Sequence, residues 1–206
     1  MYKRSSILRS VFVLLAAVLF AGVPFVGAAQ DTKGQSQLES PANRDVRRTE
    51  TLKEEVRHQL VTLPYYGVFD WLQADVKPDG TISLMGEVVR PTTKDDAENR
   101  IKKLEGATQV INNIEVLPLS PMDDQLRIGL YRAIYRYDYP LLRYATQAIP
   151  SIHIIVKNGR ATLKGVVANQ MDSQLAYTAA RGVSGLFEVK NELQVEQRED
   201  EKVSDN

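Results

Sequence analysis

The 206-residue sequence contains no cysteine. Disulfides, thiolate metal sites, a cysteine nucleophile and lipid attachment at an N-terminal cysteine are therefore excluded. Histidine is scarce: His58 and His153 are the whole complement, which excludes a multi-histidine metal site. Neither sign of charge is in excess, with 26 basic and 26 acidic side chains. That balance excludes a protein built to hold nucleic acid by charge alone. Catalytic constellations are missing as well. The glycines follow no phosphate-loop spacing, and serine and histidine occur without a nucleophile elbow or a triad. Asp95, Asp96 and Glu98 fall in the expected first turn of a helix, where they balance its dipole. No second carboxylate faces them across a cleft, as acid–base work would need. No enzymatic activity and no cofactor are expected.

Apolar residues are not lacking: 43% of the chain is hydrophobic, as in an ordinary globular protein. One run is long. Val11 to Phe20 is unbroken, and Ala21 to Val26 continues it around Gly22 and Pro24. Lys3, Arg4 and Arg9 precede it, and the small residues Gly27, Ala28 and Ala29 follow. Charge, apolar stretch and small-residue exit are the layout of a secretory signal peptide. Cleavage is expected after Ala28 or Ala29, leaving 23 basic and 26 acidic side chains. The alternative is an uncleaved anchor, although the run falls short of the ~20 residues of a comfortable span. Residues 1–29 thus read as an export signal and predict a periplasmic protein that is not a lipoprotein. Residues 30–49 are polar, rich in small residues and weakly periodic, and read as a flexible linker. Residues 197–206 read as a frayed acidic tail.

The remainder is one unit written twice. Shifted by 79 positions, Gly80, Leu84, Gly86 and Val88 fall on Gly159, Leu163, Gly165 and Val167. Ala97 then meets Ala176, Gly106 meets Gly185, and Val110, Asn112 and Val116 meet Val189, Asn191 and Val195. A single gapless offset that aligns glycines, apolar positions and an asparagine implies two copies of one fold.

Each copy reads as helix, strand, strand, helix, strand. In the first, Leu52, Val56, Leu60 and Leu63 line one face of a helix over about 51–63, which Pro64 stops. Strands are expected over 72–76 and 81–89, joined by Lys77-Pro78-Asp79-Gly80 into an antiparallel hairpin. A helix over about 94–104, capped by Thr92 or Thr93, turns Ala97, Ile101 and Leu104 to the sheet and ends at Gly106. A strand over 110–117 closes the unit. The second copy has helices over about 122–137 and 172–183, and strands over 153–157, 161–167 and 189–195. The fold class is α+β: two tandem αββαβ domains over 50–118 and 121–196, each a three-stranded sheet with two helices packed on it. Units this small are marginal alone, and packing one on the other would bury more apolar surface.

This pattern resembles the BON domain, named for bacterial osmotic-stress and nodulation proteins. The second copy carries it in Val156, Gly159, Thr162, Leu163, Gly165, Val167, Ala176, Ala180, Val183, Gly185, Val189, Asn191, Leu193 and Val195. The first carries it in Gly80, Ile82, Leu84, Gly86, Val88, Ala97, Ile101, Leu104, Gly106, Val110, Asn112, Ile114 and Val116, and departs from it at Met85 and at Glu105-Gly106-Ala107. The resemblance implies association with phospholipid or other envelope components, a role in envelope integrity under osmotic stress, and no catalysis. The matching residues themselves read as structural: glycines for turns and helix ends, valines for a core.

Binding is sought elsewhere. On a helical wheel, Leu126, Leu130, Ala133, Ile134 and Tyr137 form the core face of the second copy's opening helix. Ile128, Tyr131 and Tyr135 lie nearly opposite, with Arg132 and Arg136 stacked beside them, and Tyr139, Arg143 and Tyr144 follow. Tyrosine beside arginine suits a membrane surface, with rings at headgroup level and guanidinium groups on phosphate. Residues 51–118 carry 8 basic and 11 acidic side chains, whereas residues 121–196 carry 9 and 7. The second copy is thus favoured for anionic phospholipid, through Tyr131, Arg132, Tyr135, Arg136, Arg143 and Tyr144. Two other readings stand. The same face can pack on the first copy or make an oligomer, since tyrosine and arginine are also enriched at interfaces. It can also serve a periplasmic chaperone or adaptor that binds other envelope proteins. His153, between Ile152 and Ile154, reads as structural or exposed. Tyr65 and Tyr66 with Phe69 and Trp71 read as a core edge ahead of a ligand platform.

Overall fold

Leu52, Val56, Leu60 and Leu63 recur at helical spacing, and all four are buried. The first three anchor helix α1, Pro41–Val61, which ends two residues before Leu63. The computed structural model describes residues 41–136, 140–147 and 149–196. The export signal, residues 30–40, Tyr137, Tyr139 and the acidic tail lie outside the described residues. Helix α1 starts ten residues ahead of the expected Thr51, so residues 41–49, read as linker, are helical. Proline suits a first helical turn, and the Thr49 hydroxyl donates to the Asp45 carbonyl one turn back at 2.9 Å.

Strands β1 (Trp71–Val76) and β2 (Thr81–Val88) form the expected antiparallel hairpin. Helix α2 (Pro91–Ile101) crosses over to β3 (Gln109–Val116), which lies parallel to β2. Copy two repeats this with α3 (Pro121–Ile134), the one-turn helix α4 (Leu142–Ala145), β4 (Ile152–Lys157), β5 (Arg160–Val167), α5 (Gln170–Arg181) and β6 (Glu188–Val195). The two sheets have orders β1-β2-β3 and β4-β5-β6. All six strands lie within one residue of the sequence reading. The helices shift more. Pro91 opens α2 ahead of the expected threonine cap. Asp95 and Asp96 therefore leave the first turn, and Thr93 is buried rather than capping. Helix α3 ends at Ile134, short of Tyr137.

The repeat-defining residues do the same work in both copies. Gly86 and Gly165 have φ of 128° and 123°. A Cβ there would lie 1.9 Å from the Trp71 carbonyl oxygen and 2.0 Å from that of Ser151. Only glycine allows the strands to close at these points. Asn112 and Asn191 each accept from the backbone two residues on and donate back to the crossover helix, at Lys94 and Ser173. The cores are separate. Ile82, Leu84, Ile101 and Ile114 centre one; Leu130, Ile134, Ile154 and Leu163 centre the other.

Candidate binding surface

Strand β4 reads Ile-His-Ile-Ile-Val-Lys and is buried at its first five positions, whereas β1 alternates. A strand buried at successive positions is covered on both faces. Helices cover one face of β4, and the first copy covers the other. Trp71, Glu87 and Glu115 form a row across the helix-free face of the first sheet. His153 and Lys164 form a row across that of the second. The rows meet. The His153 ring lies 5.1 Å from that of Trp71 and 5.6 Å from that of Tyr66. Lys164 Nζ lies 3.1 Å from both Glu87 carboxylate oxygens, and Lys157 Nζ lies 2.5 Å from Glu115. His153 Nδ1 lies 3.2 Å from the Gly67 carbonyl oxygen. Burial holds its pKa below the usual histidine value. His153 is thus structural, and the Tyr66–Trp71 segment is the junction between the copies.

The outer edge of β4 is closed by three groups. The Tyr135 hydroxyl donates to the Ile152 carbonyl at 2.7 Å. Ile154 N donates to the Val68 carbonyl at 2.7 Å. Arg127 Nη2 donates to the Val156 carbonyl at 2.7 Å, while Nη1 holds Asp124 at 2.5 Å. Asp123 closes the adjoining turn, accepting from Asn158 N and Gly159 N, both at 2.8 Å. Arg127 and Asp123 escaped the sequence reading. The Ser120-x-x-Asp123 spacing marks a helix start, and Ser120 Oγ does accept from Asp123 N at 3.2 Å. Nothing in the sequence alone gives either side chain its strand partner.

The six expected surface residues divide. Tyr131 and Arg132 are exposed on α3, and Arg136 is exposed just beyond it. Tyr135, placed on the exposed back of the helix, is buried instead. Helix α3 ends at Ile134, so the chain leaves helical spacing and tucks the Tyr135 ring under β4. Burial pushes its phenol pKa up. Tyr144 is also buried. Its hydroxyl donates to Asp172 at 2.6 Å and accepts from Ala168 N at 2.9 Å. Arg143 pairs with the same carboxylate and stacks on the Tyr144 ring, 5.0 Å from its centroid. Arg143 stays half-exposed but is tied to Asp172; on α3 and just beyond it, what remains at the surface is a stripe of Ile128, Tyr131, Arg132 and Arg136. The Tyr131 ring rests on Tyr135 at 5.0 Å and on Phe69 of the first copy at 6.3 Å.

The model of the BON domain matches residues 48–118 and 141–197, more than half of the chain. The chain belongs to the BON domain family. That family is associated with the envelope and phospholipid and is in general non-catalytic. The second BON match begins after α3, yet α3 is the counterpart of α1. Leu52 lies 3.8 Å from the Cβ position of Gly106, and Leu126 lies 3.5 Å from that of Gly185. No curated protein matches the chain. Among the solved structures that resemble it are two of CdsD, a structural protein of the type III secretion system of Chlamydia trachomatis. One is 13% identical, covers 74% of this chain and 96% of its own, and has a TM-score of 0.30. The other, a C-terminal domain, is 15% identical, covers 70% and 96%, and has a TM-score of 0.25. At such TM-scores the likeness says nothing about function. Among the described residues, no helix is long and apolar enough to cross a membrane.

Proposed function

We propose that the protein is exported to the periplasm and acts there as a non-enzymatic envelope protein that docks on anionic phospholipid through its second BON domain. The carrying observation is the α3 stripe. Ile128 and Tyr131 are 44% and 38% exposed beside Arg132 and Arg136, on a helix whose other face is fully in the core. Aromatic rings at headgroup level with guanidinium groups on phosphate are what such a surface needs. Tyr135 props Tyr131 from beneath, and the Arg143–Asp172–Tyr144 cluster fixes the chain that follows. The charge bias of residues 121–196 and the family's association with phospholipid support the same reading.

The test is co-sedimentation of the exported chain from Gln30 with phosphatidylglycerol and with phosphatidylcholine vesicles. Selective binding that weakens with salt is expected. The double variant Arg132→Glu, Arg136→Glu should lose it while keeping its thermal melt. Binding that survives this charge reversal overturns the stripe as the site.

A further inference from the structure

The repeat gives β1 and β4 equivalent places, but their outer edges differ. Lys77 N donates inward to the Thr81 carbonyl, so Leu72, Ala74 and Val76 turn their main-chain groups outward; of these, Leu72 N is already taken by the Tyr66 hydroxyl. The counterparts of the three closing groups of β4 are missing. With Leu52 matched to Leu126, Lys53 stands where copy two has Arg127, and Val61 where it has Tyr135. Lys53 turns to Glu50 at 2.8 Å, and valine has no hydroxyl. Among the described residues, no chain segment plays the part of Val68. Among the described residues, no hydrogen bond reaches the outward N–H or C=O of Ala74 or the C=O of Val76.

A groove of about 830 Å³ runs along this edge. Val56, Arg57 and Leu60 of α1 form one wall, and Ile149, Pro150 and Val166 of copy two form the other. That volume lies within the range of built ligand sites, about 300–1,000 Å³. Six residues of β1 would pair with an added strand roughly 20 Å long. The edge is main chain, so the occupant that satisfies it is main chain too. The second copy shows this directly: its equivalent edge takes the Val68 carbonyl of a neighbouring segment. The walls specify side chains. The wall from copy two is mainly apolar, with Ile149, Pro150 and Val166, whereas the α1 wall exposes Lys53, Glu54, Arg57 and His58 over the buried Val56 and Leu60; no carboxylate pairs Arg57 among the described residues.

We propose that the open part of the β1 edge, at Ala74 and Val76, takes up an extended segment of another envelope protein, apolar toward the second domain and with a carboxylate facing Arg57, as a fourth strand of the first sheet. This stands apart from the lipid-docking stripe, which lies on the second domain.

The probe is a set of capped eight-residue peptides that alternate valine or leucine with threonine and carry one glutamate. They are titrated into the 15N-labelled exported chain. Amide shifts and slowed hydrogen exchange centred on Ala74 and Val76 are expected. Ala74→Pro removes the central donor at a place where an edge strand tolerates proline. It should weaken binding about tenfold, the factor carried by one or two main-chain hydrogen bonds. Arg57→Glu should weaken the glutamate-bearing peptides selectively. On the ligand side, N-methylation of alternate residues should abolish binding in one parity and spare it in the other. Three results overturn the proposal: no peptide of the set binds, both methylation parities bind alike, or sedimentation shows a dimer of this chain that Ala74→Pro dissolves.

Discussion

In the second BON domain the outer edge of β4 is closed by Tyr135, Val68 and Arg127, and its hairpin turn is held by Asp123. In the first domain Val61, Lys53 and Thr49 occupy the matching positions and reach neither strand nor turn. A hollow of about 840 Å³ lies where copy two has Asp123, bordered by Thr49, Leu52, Gly80 and Gly106. The cores are alike, with leucine, isoleucine and valine at matched places in both sheets. Duplication kept the apolar frame and let the polar closures diverge. Burial tolerates only apolar residues of similar size, whereas an edge group is free to change wherever water or a partner can replace it.

The comparison breaks first where the copies are identical. Gly86→Ala and Gly165→Ala each drive a Cβ into a carbonyl oxygen at a positive φ. Each should cost about 3–5 kcal/mol in urea unfolding, in the range that marks a named structural fault. A large cost at one site only would mean that the two hairpins do not share this closure. The next effect should be one-sided. Asp123→Ala strands the buried Gly159 amide and frees the part-buried Asn158 amide, and should cost about 1–3 kcal/mol, whereas Thr49→Ala should stay within about 0.5 kcal/mol. Arg127→Met leaves the Val156 carbonyl open and should cost about 2 kcal/mol. Its counterpart Lys53→Met breaks only an exposed pair and should change stability by less than about 0.5 kcal/mol.

A smaller effect lies at the junction. Burial lowers the His153 pKa below 6.5. Between the lowered value and 6.5 the unfolded chain binds the proton and the folded chain does not. Stability should therefore fall as pH drops below about 6.5, by at most about 1.4 kcal/mol per pH unit. Asp70 has the opposite sign, because burial raises its pKa above 3.8. Its contribution is present below the ordinary value and is lost as pH rises through the raised one. Denaturant melts of His153→Asn between pH 5 and 7 should show a flatter profile than the parent. An unchanged slope would place the proton uptake elsewhere.

Period and punctuation made the elements legible. The 79-residue offset gave two domains, and the Pro-Asp-Gly and Asn-Gly turns placed both hairpins. Helix ends are less legible, because Pro91 and Pro121 open their helices earlier than the Lys94 and Met122 starts expected. The candidate surface was half legible. A helical wheel places Tyr135 outside only if the helix continues, and α3 stops one residue before it. Tyr144 and Arg143 are tied to Asp172, 28 and 29 residues away, which no local pattern reveals. The contrast between β4, apolar but for His153 and Lys157, and β1, alternating from Leu72, is present in the sequence. It foretells which sheet has its helix-free face covered most completely, and it points to the junction.

The least costly change tests how the two domains meet. Lys164 and Glu87 are only 18% and 26% exposed, whereas Lys157 and Glu115 are 44% and 48% exposed. Partial burial strengthens an ion pair until desolvation cancels the gain, and exposed pairs contribute little. A double-mutant cycle of Lys164→Met with Glu87→Gln should give a coupling of about 0.5–1 kcal/mol. The matching cycle of Lys157→Met with Glu115→Gln should give about 0–0.5 kcal/mol and vanish at high salt. If the second coupling were the larger, the acidic row of the first sheet would not lie on the basic row of the second in the register described. Equal and salt-resistant couplings would instead mean that both pairs are drier than their exposure indicates, which would make the charged rows a determinant of how one domain seats on the other.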